Sequence, residues 1–166
     1  TIENIQGSTV IDAGTENDGI TVKTTDGQLT VNGQAGNDMI KIGTEAPLIT
    51  GTVDSINEPI IIHGSDLTGG ADGVDLLVLG DAADSKDNLH GTLTNETING
   101  IGLSENFDVE HEFHAGITYH NLDDVQLYLG TGNDTFNVLS THVGSTWVET
   151  NSGDDTVYVD TIDGAT

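Results

Sequence analysis

Apolar and polar residues alternate along most of the chain, in short runs that are separated by Gly-rich turns. Ile20 and Val22 in one run, and Phe136 and Val138 in another, are typical apolar positions. A period of two places alternate side chains on one face of a strand, whereas an amphipathic helix has a period near 3.6 residues. The pattern predicts a series of short β-strands, each with one buried face, and essentially no helix.

The turns share a motif, in which a Gly-rich stretch ends in Asn-Asp or a related pair and leads directly into an alternating strand. Its five copies are AGTENDGITV at 13–22, GQAGNDMIKI at 33–42, GADGVDLLVL at 70–79, LGTGNDTFNV at 129–138 and TNSGDDTVYV at 150–159. The copies lie at intervals close to one, two or three times about 20 residues, and repetition at a fixed period indicates a stacked repeat fold.

We therefore predict an all-β fold, one continuous parallel β-solenoid (β-helix or β-roll-like) over residues 1–166 with coils of about 20 residues. Residues 1–80 and 123–166 are expected to form regular coils, with an irregular or covering segment at 81–122. Because both ends of the sequence interrupt a repeat, we expect a segment of a longer repeat protein.

The chain is strongly acidic, with 28 Asp and Glu against 3 Lys and no Arg, which gives a formal net charge of −25. Such a charge argues against nucleic acid or an anionic membrane as a partner. No apolar run approaches the roughly 18 residues that a membrane-spanning helix needs, so we expect no membrane insertion. The negative charge instead favours a cation as ligand.

Each copy of the turn places an aspartate in the same position, directly before a strand. Stacked strands lie about 4.8 Å apart, and two carboxylates at that distance repel by roughly 3 kcal/mol at an effective dielectric constant near 20. Calcium takes six to eight oxygen ligands and would reverse this repulsion. We therefore predict Ca²⁺ as cofactor, bound by a row of aspartates and by turn carbonyls. The candidate ligands are Asp18, Asp38, Asp75, Asp134 and Asp155, then Gly36, Gly73, Gly132 and Gly153, and finally Asn37, Asn133 and Asp154. For the last three residues, the alternative role is to form the turn or a ladder of hydrogen bonds between stacked turns.

These turns resemble the RTX, or haemolysin-type, repeat GGxGxDxUx, where U is a large apolar residue. Asp38 follows Gly33 and Gly36 and precedes Ile40 in the U position. The resemblance implies a parallel β-roll with calcium between turns, held by the Asp and by Gly carbonyls. RTX motifs recur about every nine residues, so the sparser spacing here implies a single calcium-lined edge. Other stretches, such as GTLTNETINGIGL, resemble tandem modules of very large bacterial surface proteins.

Two other chemistries are open. His111, His114 and His120 offer nitrogen ligands for zinc, but their spacing is not that of a helical H-E-x-x-H site, which favours polar strand residues instead. Catalysis by the pair Asp123 and Asp124 is not expected, because adjacent strand residues point to opposite faces. We therefore expect no enzyme.

Together these features predict a calcium-binding structural module of a secreted bacterial adhesin, surface fibre or extracellular matrix protein, located outside the cell. Calcium would fold and stiffen it, and its partners would be other copies end to end or neighbouring repeats of a longer chain. The alternative is a carbohydrate-binding or carbohydrate-active β-helix with a glycan as partner. That alternative requires a groove lined by the aromatic residues Tyr119, Tyr128, Trp147 and Tyr158.

Overall fold

The computed structural model describes residues 1–65, 73–103 and 116–162, and within these ranges it contains thirteen strands and no helix. Alternation of apolar and polar residues accounts for this, since nearly every strand shows a period-two burial pattern. The strands are β1 (Thr9–Gly14), β2 (Gly19–Val22), β3 (Leu29–Gln34), β4 (Met39–Ile42), β5 (Ile60–Ser65), β6 (Leu76–Gly80), β7 (Gly91–Leu93), β8 (Thr97–Asn99), β9 (Ile117–His120), β10 (Asp124–Tyr128), β11 (Thr135–Val138), β12 (Ser145–Glu149) and β13 (Thr156–Val159).

The strands form two sheets of unequal size. The five-stranded sheet has the order β12-β10-β6-β4-β2, and all of its neighbours are parallel. The eight-stranded sheet has the order β1-β3-β5-β9-β8-β7-β11-β13 and is mixed, because β8 runs antiparallel to both β7 and β9. No described residue belongs to a helix long and apolar enough to cross a membrane.

The prediction of one continuous parallel β-solenoid with coils of about 20 residues is wrong. Stacked coils of one sense would give two sheets with matching parallel order, but the antiparallel strand β8 interrupts that order in the larger sheet. Strand β5 pairs with β9, and β7 pairs with β11, which are distant in the sequence. The physical reason is that alternation specifies which residues form a strand and which face is buried, but not which strand lies beside it.

A single hydrophobic core combines inward side chains from both sheets. Ile40 and Leu77 come from the five-stranded sheet, whereas Val31, Ile62 and Phe136 come from the eight-stranded sheet, and all five are fully buried. Burial of such side chains contributes about 1.5–3 kcal/mol each. The core thus fixes the rotation of the strands that contribute to it, and with it the position of the polar turn residues at their ends.

Candidate functional site

A first row of aspartates lies before the strands of the five-stranded sheet. In each step of this row, a carboxylate accepts a hydrogen bond from the backbone N–H of the preceding aspartate. Asp18 N–H donates to Asp38 Oδ1, Asp38 N–H to Asp75 Oδ1, and Asp75 N–H to Asp123 Oδ2, each at 2.9 Å. Asp123 was not among the ligands predicted from the sequence, because no Gly-rich turn precedes it. The signal that could have identified Asp123 is its position directly before the alternating strand β10.

A second row belongs to the eight-stranded sheet, before β11 and β13. Asn88 N–H donates to Asp134 Oδ1, and Asp134 N–H donates to Asp155 Oδ1, both at 2.9 Å. The motif spacing suggested one row of five aspartates, but the structure divides them between two rows. Three of them belong to the first row and two to the second, since the residue that follows Asp75 in the stack is Asp123.

A second ladder runs beside each row in the opposite direction and uses the residue before the aspartate. Asn37 N–H donates to Asn17 Oδ1 at 2.8 Å, and Val74 N–H donates to Asn37 Oδ1 at 2.9 Å. In the other sheet, Asp154 N–H donates to Asn133 Oδ1 at 2.9 Å. The amide oxygens of Asn37 and Asn133 thus accept backbone hydrogen bonds, which is the ladder role that the sequence left open for them.

The predicted turn glycines lie directly against the backbone of the preceding turn. A Cβ at any of them would approach a backbone carbonyl oxygen to under 3.0 Å, a distance that real Cβ atoms essentially never show. No side chain fits at these positions, so glycine is required there for close stacking of the turns. The pairs are Gly36 with Glu16 O, Gly73 with Gly36 O, Gly132 with Lys86 O, and Gly153 with Gly132 O.

Two of the row carboxylates are buried with one oxygen unsatisfied. Asp38 is 1% exposed and Asp134 is 3% exposed, and the Oδ2 atom of each accepts no hydrogen bond from any described residue. Burial raises the pKa of Asp38, and the charge of Asp18 raises it further, against the lowering effect of the backbone hydrogen bond. Burial likewise raises the pKa of Asp134, assisted by the charges of Asp155 and Asp84. Each carboxyl therefore needs a proton or a cation to compensate its charge.

The unsatisfied oxygen of Asp38 faces a glycine of the opposite sheet. The position that a Cβ of Gly33 would take lies 2.5 Å from Asp38 Oδ2 and 2.5 Å from the carbonyl oxygen of Gly64. The next aspartate of the row repeats the arrangement. The position that a Cβ of Gly64 would take lies 2.8 Å from Asp75 Oδ2 and beside a backbone carbonyl oxygen. Beside both Gly33 and Gly64, a carboxylate oxygen and a backbone carbonyl oxygen therefore face the same small space.

The donor types at the rows fit calcium, whereas the number of side-chain donors is small. Carboxylate and carbonyl oxygens are the ligands that calcium takes, and it needs six to eight of them. Within residues 1–65, 73–103 and 116–162, no group of three or more Asp, Glu, His or Cys side chains is placed to hold one metal ion. A calcium ion at a row would therefore depend on Asp38, Asp75 or Asp134, on backbone carbonyls and on water.

Of the three histidines considered for zinc, His120 is the one that lies among the described residues. His120 of β9 stacks on His63 of β5, with ring centroids 5.2 Å apart, and His111 and His114 lie outside the described residues. Burial, followed by the charge of His120, lowers the pKa of His63. The two rings thus form a stacked pair between neighbouring strands.

The aromatic residues do not line one groove. Tyr119 is buried, and its hydroxyl donates to the carbonyl of Thr94 at 2.6 Å. Tyr128 and the exposed Trp147 belong to neighbouring strands of the five-stranded sheet, whereas the exposed Tyr158 belongs to the eight-stranded sheet. This dispersal counts against the sugar-binding groove that the alternative function requires.

No family model matches the chain, and neither does any curated protein or solved structure. The resemblance to the RTX repeat consequently rests on the turn motif alone.

Proposed function

We propose that the chain is a calcium-stabilised structural module of a secreted bacterial adhesin, surface fibre or extracellular matrix protein. The observation that carries this proposal is the pair of aspartate rows. Their carboxylates are stacked through backbone hydrogen bonds, and the buried Oδ2 atoms of Asp38 and Asp134 accept none from the described part of the chain.

The protein's own cations are used elsewhere. Lys23 pairs with Glu3 at 3.5 Å, Lys86 pairs with Asp54 at 2.7 Å, and Lys41 donates to the carbonyl of Pro47 at 3.3 Å. With a formal net charge of −25 and only these three lysines, compensation of the rows has to come from solution. The choice lies between protons and metal cations.

Calcium is the cation that best matches the setting. It prefers the oxygen ligands that the rows offer, and weak sites are filled outside cells, where such modules bind calcium with dissociation constants of about 10⁻⁴ to 10⁻³ M. Ligand at ten times its dissociation constant stabilises the folded state by about 1.4 kcal/mol per site. Relief of the repulsion between neighbouring carboxylates is part of this binding free energy. Without calcium the charged rows oppose folding.

The experiment is thermal unfolding of the chain, followed by circular dichroism, with calcium, with magnesium and with chelator at equal ionic strength and neutral pH. We expect a β spectrum and a clearly higher melting temperature with calcium than with magnesium or chelator. Equal melting temperatures in all three solutions would refute the proposal and assign the compensation of the rows to protons.

Matched variants locate the effect. Asp38→Asn keeps an oxygen that accepts the Asp18 N–H but removes the buried charge, so we expect it to reduce the calcium-dependent shift and to raise the stability in chelator. Asp160→Asn removes one charge from an exposed position after β13 and should change neither quantity. If both variants behave alike, the effect of calcium is a general response to net charge.

The end of the two sheets at β12 and β13 supports the proposed end-to-end contact with another copy or with a neighbouring repeat. Among the described residues both are edge strands, so each has an outer backbone edge that no described strand pairs with. Val157 and Val159 occupy positions that are buried in the paired strand β11, at Phe136 and Val138, yet they are 41% and 52% exposed. One more parallel strand in each sheet would cover them.

A further inference from the structure

The end of the two sheets at β12 and β13 forms an open apolar groove, called here the C-terminal groove. Val148 of β12, Val157 and Val159 of β13, and Ile162 line it together with the buried Val138, and its volume is about 270 Å³. Val157, Val159 and Ile162 are exposed, whereas Val148 is partly buried and packs against the core. The inward faces of both sheets therefore continue to this end, where the described residues leave them partly uncovered.

The opposite end of the two sheets, at β1 and β2, carries an apolar layer of the same kind, called here the N-terminal layer. Ile2 forms a parallel bridge with Val22 of the five-stranded sheet, and Ile11 of β1 pairs with Val31 of the eight-stranded sheet. Val22 and Val31 are fully buried, but Ile2 and Ile11 are only partly buried. This end therefore also presents one partly covered apolar residue in line with each sheet.

The N-terminal layer and the C-terminal groove match in spacing. The residue in line with the five-stranded sheet precedes its counterpart in the eight-stranded sheet by nine positions at both ends, from Ile2 to Ile11 and from Val148 to Val157. The same interval separates the buried neighbours of these residues. Those neighbours are Val22 and Val31 at one end, and Leu127 and Phe136 at the other. The two ends therefore have the spacing of strands that already pair within the chain.

The two ends also agree in strand direction. All neighbours in the five-stranded sheet are parallel, and in the eight-stranded sheet both β7 and β9 run antiparallel to β8, so β1 and β13 point the same way. A second copy placed with its N-terminal layer on the C-terminal groove therefore adds a parallel strand to each sheet. Two like ends related by a two-fold axis cannot keep strand direction and sheet order at once.

We propose that the C-terminal groove of one copy binds the N-terminal layer of a second copy, with Val148 beside Ile2 and Val157 beside Ile11. This inference rests on the proposed function, because it names the partner surface of the end-to-end contact. The two surfaces differ, so every assembly keeps one free surface of each kind at its ends. Repetition of such a heterologous contact gives an open filament rather than a closed dimer.

Charge regulates this contact. In the proposed register Glu149 lies beside Glu3 of the second copy, and within each copy Glu3 is paired with Lys23 at 3.5 Å. Each copy also carries a formal net charge of −25. Repulsion between copies therefore opposes the contact at low ionic strength, and salt or calcium favours it.

The test is sedimentation velocity of the full chain over a series of concentrations, with calcium at neutral pH. We expect the mean mass to rise with concentration beyond that of two chains. Val157→Asp places a charge inside the contact and should weaken association about tenfold or more, whereas Glu149→Lys can pair with Glu3 and should strengthen it. A mass that stops at two chains would overturn the proposal. Monomers at every concentration would also overturn it, and would assign both apolar surfaces to chain segments of other sequence.

Cysteine cross-linking tests the register. The chain contains no cysteine, and the exposed Val10 and Thr156 become neighbours when Ile11 lies beside Val157. Neighbouring strands lie about 4.8 Å apart, which is within the Cα separation of a disulfide. Oxidation of a mixture of Val10→Cys and Thr156→Cys should give linked pairs, and neither variant alone should. No linkage in the mixture, or equal linkage in one variant alone, would overturn the head-to-tail contact.

Failure of this inference is distinguishable from failure of the proposed function. The melting experiment with calcium, magnesium and chelator is carried out at a concentration at which the chain is a monomer. A calcium-dependent melting temperature without association would overturn the head-to-tail contact and leave the calcium-stabilised module in place. Association and register-specific linkage without a calcium-dependent melting temperature would support the contact and refute the role of calcium.

Discussion

Gly132 tests whether the repeated turns are shaped by close stacking or by metal binding. A Cβ at this position would overlap the backbone of the preceding turn at Lys86 and lie 2.9 Å from the backbone nitrogen of Asp87. A backbone obstacle has no rotamer by which to move aside. Two hydrogen bonds that join the same two turns would be displaced. They run from Asn133 N–H to Asp87 at 2.7 Å and from Asn88 N–H to Asp134 at 2.9 Å.

The expected loss of stability in Gly132→Ala is large. Insertion of a methyl group into a packed region costs about 1–3 kcal/mol, and the backbone obstacle places this site at the upper end. Weakening two hydrogen bonds adds about 1 kcal/mol for each, so we expect a loss of about 3–5 kcal/mol. Gly19→Ala is the matched control, because nothing lies within 4 Å of its Cβ position and its φ is not positive. It should gain about 0.4–1 kcal/mol through the lower entropy of its unfolded chain.

The assay is urea unfolding of both variants and the wild type, followed by the fluorescence of the single tryptophan, with calcium and with chelator. If stacking is the reason for glycine, Gly132→Ala loses a similar free energy in both solutions and Gly19→Ala loses none. Wild-type stability of Gly132→Ala, or a loss that occurs only with calcium, would refute this reasoning and assign the position to metal binding.

Two further predictions concern buried groups. In chelator, stability should fall as pH rises from about 4 towards about 8, because burial raises the pKa of Asp81 in the folded chain from its ordinary value of 3.8 to about 8, so that the folded chain binds more protons than the unfolded chain over this range. Urea unfolding at a series of pH values should show this slope, and Asp81→Asn should flatten it. Phe136→Ala should cost about 3–5 kcal/mol in the same assay, since Phe136 is fully buried. The exposed Tyr158→Ala should stay within about 0.5 kcal/mol of the wild type.

Local features of the fold were predictable from the sequence. Alternation identified the strands after the turn motif, and the last two copies of the motif, at 129–138 and 150–159, lead into strands β11 and β13, which pair in parallel with Phe136 beside Val157. These features depend on the residues of one strand and its near neighbour. Their physical basis is the period of the side chains and the need to bury one face.

Long-range pairing was not predictable in the same way. The antiparallel strand β8 carries no pattern that distinguishes it from a parallel one, because both kinds alternate. Asp75 and Asp134 were therefore expected in one row, whereas in the structure Asp123 lies next to Asp75. Asp81 was missed for a related reason, since it becomes a buried group only when Val53 and other distant segments fold over it.

The two ladders together show which feature of the motif requires compensation of its charge. In the ladder of the preceding residues, Asn37 and Asn133 accept backbone N–H groups through a neutral amide, so hydrogen bonding alone does not require a charge. Aspartate nevertheless occupies the buried positions of Asp38 and Asp134, where an asparagine would accept the same N–H, from Asp18 and Asn88 respectively, at a lower cost of burial. Stacking accounts for the glycines, and hydrogen bonding accounts for one oxygen of each aspartate. The remaining buried oxygen is the part of the motif that the proposed binding of calcium would explain.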